Sequence, residues 1–188
     1  MDQYIPAYDE ALSLFKEFNK SESLQKHSRA VEGVMRYMAR KNGEDEEKWG
    51  IIGLVHDLDY EGFPEQHCKK AREILEARGW PEEYIRAVVS HGWGICSDAE
   101  PRTRMEKTLY AIDELTGLIT AAALIRPSKS VMDLEAKSVI KKWKDKSFAA
   151  GVNRSVIEKG VAMLGVELAD LISDTIMGMR QVAGRIGL

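Results

Sequence analysis

Apolar residues recur along the chain at spacings of three and four, and no sustained alternation of period two interrupts them. The pattern predicts helices throughout and no sheet. The first covers about 7–18. Ser21 or Ser23 caps a second, which runs to about residue 41 and stops at Asn42-Gly43, where glycine permits the left-handed turn that ends a helix. A third, over about 45–57, opens on acidic residues that suit a helix N-terminus. Gly62 and Pro64 break the chain. A fourth spans about 65–78 and ends at Gly79, and Pro81 opens a fifth that reaches about 91. Gly92-Trp93-Gly94 starts a loop lasting to Pro101, and a long sixth helix over about 103–126 meets Pro127. Further helical stripes follow at about 131–143, 155–164 and 167–186. At 188 residues the chain suits a single all-α domain, 1–188, with a sizeable core. Pro127-Ser128-Lys129 is the one candidate break, between a part over about 24–126 and a C-terminal helical extension over about 130–188.

Polar side chains intrude on these apolar stripes. His27 joins Leu24, Val31, Val34 and Met38, and His56 follows Trp49 and Ile52. His67 precedes Ala71 and Ile74 by one and two turns, His91 follows Ala87 and Val88, and Asp113 lies with Leu109, Thr116 and Gly117. Residues on such stripes face a bundle interior, where unpaired charge or imidazole costs several kcal/mol. Each histidine alone reads as a hydrogen-bonded core or boundary residue. Jointly, with the adjacent pair His56-Asp57, they point to a shared metal. Imidazole with carboxylate suits iron, manganese, zinc, nickel or cobalt rather than calcium or magnesium alone. Gly50 and Gly53 share a face with Asp57 and imply close approach by another helix or by a ligand.

The net charge of −3 gives no electrostatic basis for binding nucleic acid polymers. No apolar run reaches the ~20 residues needed to span a bilayer. The start, Met1-Asp-Gln-Tyr-Ile-Pro6, lacks the basic and apolar regions of a signal peptide. Cys68 and Cys96 have no CxxC spacing and read as two reduced thiols rather than a disulfide or a zinc site. The expected location is cytoplasmic.

The order His27 … His56-Asp57 … Asp113 on successive helices resembles the HD metal-dependent phosphohydrolase superfamily over about 24–126. The phrases Gly53-Leu-Val-His-Asp-Leu-Asp-Tyr60 and Leu109-Tyr-Ala-Ile-Asp-Glu-Leu-Thr-Gly117, with Lys144-Asp-Lys-Ser-Phe-Ala-Ala-Gly-Val-Asn-Arg154, look like a branch of small bacterial and archaeal HD hydrolases. The resemblance implies an HD-type helical bundle with extra C-terminal helices, and one or two divalent transition metal ions. HD-GYP enzymes and the bacterial HD enzymes that cleave diadenosine tetraphosphate carry two further histidines and two metals bridged by the aspartate of the pair. By that likeness His67 and His91 hold a second metal, Asp57 bridges, and Asp113 is a ligand that also accepts a proton. The GYP phrase and the His-Asp-Ile-Gly-Lys run are missing, which argues against a cyclic-di-GMP phosphodiesterase.

The implied substrate is a small phosphate ester or nucleotide. Among the cations near the motif in sequence, Arg104 and Lys129 are the candidates for holding phosphate, while Lys69, Lys70, Lys107 and Arg126 read as solvated charges. Glu114 is either a residue orienting a histidine or a surface acid. Trp93 either stacks a base or closes a loop over the core. Met177 and Met179 fill a core or a homodimer contact. Two other readings stay open: a di-iron oxygenase of the same superfamily, with much the same ligands, and a non-catalytic nucleotide-binding module.

Overall fold

A computed structural model describes residues 4–188. Ten α-helices follow one another among them: α1 (Tyr8–Phe18), α2 (Glu22–Asn42), α3 (Glu46–Val55), α4 (Lys69–Ala77), α5 (Glu82–Ser90), α6 (Arg104–Leu124), α7 (Ala136–Trp143), α8 (Arg154–Leu164), α9 (Leu168–Arg180) and α10 (Ala183–Ile186). A 3-10 turn at Pro64–Gln66 and an isolated bridge between Trp93 and Ser97 are the other regular features described. The fold is all-α, as the apolar spacing predicts.

Several ends follow from local chemistry. Ser21 caps α2 by accepting from the Leu24 N–H, and Gly43 closes it at a φ of 69°. Asp45 accepts from the Lys48 N–H at 3.0 Å to cap α3. Thr103 and Glu106 form a reciprocal capping box at the start of α6. Other ends differ from expectation. Helix α3 stops at Val55, so His56 and Asp57 lie in the turn beyond it. The fourth helix starts only at Lys69, because Cys68 takes a φ of 67° that no helix accommodates. The stripe from 131 becomes helical only at Ala136, since Arg126 and Ser128 clasp Asp133 across a turn, each at 2.9 Å. The last stripe breaks at Gln181-Val182 into α9 and α10.

Helices α2 and α6 form the axis of the bundle. Helix α3 packs on α2, α8 on α6, and α9 on both, while α10 returns to α2. The C-terminal helices thus rest directly on the first part of the chain, across the candidate break at 127–129. Glycines set the closest approaches. A side-chain carbon at Gly160 would lie 2.4 Å from the Ala111 Cβ, and one at Gly178 would lie 2.6 Å from the Val34 Cα. At Gly53 it would lie 3.1 Å from the Glu32 Cα, so the glycines of α3 serve helix contact rather than a ligand. Met35, Ile51, Ile52, Leu54, Leu109, Ile112 and Leu115 fill the centre without exposure. Glu32, also buried, accepts from Arg29 and Arg36 of its own helix and from Tyr8, which ties α2 to α1.

Candidate metal centre

Five segments deliver six side chains to one place. His27 comes from the first turns of α2, His56 and Asp57 from the end of α3, His91 from the end of α5 and Asp113 from the middle of α6. His67 comes from the turn before α4, not from a helical face as its spacing suggested.

The carboxylate of Asp57 divides them into two groups. Its Oδ2 lies 3.5 Å from His27 Nε2 and 3.4 Å from His56 Nε2. Asp113 Oδ1 completes that group, at 3.0 Å from His27 Nε2 and 3.4 Å from His56 Nε2. Asp57 Oδ1 faces the other way, 3.5 Å from both His67 Nε2 and His91 Nε2. The separations suit a metal. Zinc–nitrogen bonds of ~2.0–2.1 Å place neighbouring donors ~3.0 Å apart in octahedral and ~3.4 Å apart in tetrahedral coordination.

The tautomers make the same point. His91 Nδ1 donates to the Val88 carbonyl, and His67 Nδ1 donates to Asp59 at 2.7 Å. In the neutral form that ligates a metal, such rings turn unprotonated Nε2 atoms toward each other, here at 3.1 Å. Two lone pairs at that distance repel unless a proton or a metal ion stands between them. His56 repeats the arrangement, donating Nδ1 to the Gly53 carbonyl at 2.8 Å while its Nε2 meets His27 Nε2 at 3.2 Å.

Supporting contacts fix these rings. His56 and His91 each sit one residue beyond a helix and bond the carbonyl three residues back, satisfying an otherwise orphaned helix-end acceptor. Asp59, fully buried, uses Oδ1 for His67 and Oδ2 for the Ala71 N–H at 2.8 Å. Asp59 has no role that spacing along the chain reveals. The signal was an acid two residues after a ligand on an apolar segment, but its partner is eight positions away across a break.

The charges of these side chains shift one another's pKa values. Burial works to lower the His56 pKa, but the Asp57 and Asp113 carboxylates outweigh it and hold it well above the ordinary imidazole value. Burial works to raise Asp57 and Asp113, yet His56 and the neighbouring imidazoles hold both well below the usual carboxylate range. His67 is likewise raised against burial, through its bond to Asp59 and the charge on Asp57.

The centre opens into a cavity of about 1220 Å³. Its wall includes Leu24, Ile95, Leu124, Val156 and Ile186 as apolar surface and Ser21, Ser23, Tyr60 and Thr120 as hydroxyl donors. Lys26 is the one cation among the described wall residues, and it pairs with Glu22 at 2.6 Å. Glu61 and Glu114 also border the cavity. Glu114 accepts from the Asn153 N–H at 3.0 Å and touches no histidine nitrogen there, and burial raises its pKa.

The two cations proposed from sequence lie elsewhere. Arg104 opens α6, nine residues and ~13 Å along the helix from Asp113. It donates to Asn42 Oδ1 and borders a separate hollow of about 280 Å³. Lys129 is exposed in the turn after α6 and is absent from the cavity wall. Spacing along a helix placed both near the ligands in number but not in space. Trp93 packs against Tyr110 with ring centroids 5.9 Å apart, closing the loop over the core. Met179 is buried in that core and Met177 is exposed. No helix among the described residues is long and apolar enough to cross a membrane.

No solved structure matches the chain. A family model for the HD domain matches residues 24–125, from the helix that carries His27 to the end of the helix that carries Asp113. That span covers more than half of the 188 residues and all six side chains of the centre, and on it the chain belongs to the HD domain family.

Proposed function

We propose that the protein is a metal-dependent phosphohydrolase whose centre takes two divalent transition metal ions. The observation that carries this reading is the division of Asp57, with one carboxylate oxygen facing His27 and His56 and the other facing His67 and His91. Two ions held there would supply Lewis-acid stabilisation of phosphoryl oxygens and a water activated as nucleophile near neutral pH. Asp57 would offer one carboxylate oxygen to each ion, and its depressed pKa keeps both oxygens free of protons. Asp113 is 21 % exposed at its side chain, and as the carboxylate that its depressed pKa favours it would orient a water in the cavity. Glu114, one residue on, borders the same space with a raised affinity for protons and is placed to pass one to a leaving oxygen.

The wall bears on the substrate. With one lysine against several carboxylates, the cavity offers little to a polyphosphate beyond the ions themselves. A single phosphoryl group carried on a partly apolar body, such as a nucleoside monophosphate or a simple phosphodiester, fits this balance of charge. The same shortage of cations favours a second reading, oxidation of an uncharged or weakly charged substrate by a di-iron form of the centre.

Metal analysis and turnover decide between them. The anaerobically purified protein is expected to bind two ions per chain, and a His56→Ala, Asp57→Ala variant to bind none at equal concentration. The loaded protein is expected to release phosphate or alcohol from mono- and diester substrates equally with and without oxygen. Turnover that stops without oxygen would assign the oxidative reading. Failure to bind any ion would overturn both.

A further inference from the structure

Cys68 and Cys96 stand 28 positions apart in sequence, and the sequence analysis read them as separate thiols. The fold brings their sulfurs to 3.0 Å. Neither residue is there by accident of a loose loop. Cys96 lies in a tight turn in which the N–H groups of Ile95, Cys96 and Ser97 all converge on the Gly92 carbonyl at 3.0–3.1 Å. Cys68 holds a φ of 67°, rare for any residue but glycine, at the hinge between the 3-10 turn and α4. Gly92 leaves the room both sulfurs occupy: a side-chain carbon there would lie 2.3 Å from Cys96 Sγ and 2.5 Å from Cys68 Sγ. Cys96 is exposed on the cavity wall and Cys68 is buried behind it.

The pair is joined to the centre by covalent neighbours. Cys68 follows His67, and Gly92 follows His91. Cys68 Sγ also lies within 4.8 Å of the ligating atoms of both histidines. A disulfide has sulfurs ~2.05 Å apart, so closing this gap requires roughly 1 Å of approach, directly behind the two imidazoles.

We propose that Cys68 and Cys96 form a reversible disulfide in response to hydroperoxide, and that its closure loosens the ion held by His67 and His91. The second clause rests on the two-ion reading above. The exposed Cys96 thiol attacks one oxygen of the hydroperoxide. The O–O bond breaks, an S–O bond forms, and an alcohol or water leaves with the thiol proton. Cys68 then displaces the sulfenic hydroxyl. The S–S bond forms, the S–O bond breaks, and water leaves with the Cys68 proton. Two thiols are oxidised and one hydroperoxide is reduced. A dithiol reverses the step by exchange. Disulfides of this kind in reducing compartments are transient and serve as sensors.

The test uses the zinc-loaded full chain, treated with hydrogen peroxide and then catalase. Both cysteines are expected to lose reactivity toward an alkylating reagent, with the intact mass lower by two hydrogens. One of two zinc equivalents is expected to pass to a chromophoric chelator, and dithiothreitol to restore both. Cys96→Ser is expected to keep its zinc and its remaining thiol at the same dose. Cys68→Ala is expected to stall at a sulfenic acid on Cys96 that dimedone traps. Thiols that stay alkylatable in the wild type would overturn the disulfide. Equal zinc loss from wild type and Cys96→Ser would overturn its link to the centre. A chain that binds fewer than two zinc ions before treatment refutes the two-ion reading, and the alkylation result still decides the disulfide.

Discussion

Asp59→Asn separates the two halves of the centre. The carboxylate is fully buried and has two donors to serve, His67 Nδ1 at 2.7 Å and the Ala71 N–H at 2.8 Å. Asparagine keeps the shape but offers one acceptor and one donor, so an amide N–H must face one of those donors. If the oxygen stays with Ala71, His67 loses the partner that fixes its tautomer and raises the basicity of Nε2. Loss of such a supporting contact typically costs ~10–100-fold in metal affinity, or ~1.4–2.8 kcal/mol. The loss should fall on one ion only. Asp59 contacts His67, whose Nε2 faces the Asp57 Oδ1 side, and makes no contact with His27, His56 or Asp113. Competition titration with cobalt(II) and a chromophoric chelator reads the two equivalents separately. The tighter equivalent should be unchanged and the other weakened by one to two decades. Asp59→Asn should also unfold ~1.5–3 kcal/mol more easily without metal, since a buried charge-assisted bond is lost. Equal weakening of both equivalents, or of neither, refutes the division at Asp57.

Metal binding should release protons at neutral pH, because the raised pKa values of His56 and His67 keep imidazole protons in the metal-free centre that a cation must displace. Affinity should therefore fall as pH drops, and calorimetry in buffers of different ionisation enthalpy should show a buffer-dependent heat; a buffer-independent heat contradicts this. In the metal-free protein the His56 contribution to stability is fully present below the ordinary imidazole pKa of ~6.5 and is lost as pH rises through the raised folded value. Glu32→Ala should destabilise by ~2–3 kcal/mol, because it strips a buried acid from two guanidinium groups that are themselves about one-fifth exposed; a urea midpoint within error of wild type would be inconsistent. Gly160→Ala gains ~1 kcal/mol of helix propensity but places a carbon 2.4 Å from the Ala111 Cβ and 2.6 Å from its Cα. Overpacking of ~1–3 kcal/mol should win, and a raised Tm would show that α8 can slide away from α6 freely.

The helices were readable because their stripes and caps are local. Ser21, Gly43, Asp45 and Thr103 end or begin helices for reasons contained within four residues. The six side chains of the centre were readable for a related reason: each interrupts an apolar stripe, and interruption is visible without knowing what lies opposite. What escaped depends on contacts between segments. The start of α4 turned on the backbone of Cys68, whose side chain meets Gly92 and Cys96 of another loop. The meeting of the two thiols and the role of Asp59 have the same origin. Arg104 was misplaced because sharing a helix with Asp113 says nothing about height along the axis or facing direction.

His56 and His91 each donate Nδ1 to the last carbonyls of the helix they terminate, while Nε2 points into the centre. The imidazole thus conducts the negative end of a helix macrodipole, worth about half an elementary charge, toward a cation. Two helices act this way at once, α3 on one side of Asp57 and α5 on the other. Part of the field that would attract a metal is therefore main-chain polarisation, relayed through these two imidazoles. A bound ion would in turn steady the last turns of α3 and α5. Chelation should appear as faster amide exchange in those turns before any wider loss of structure.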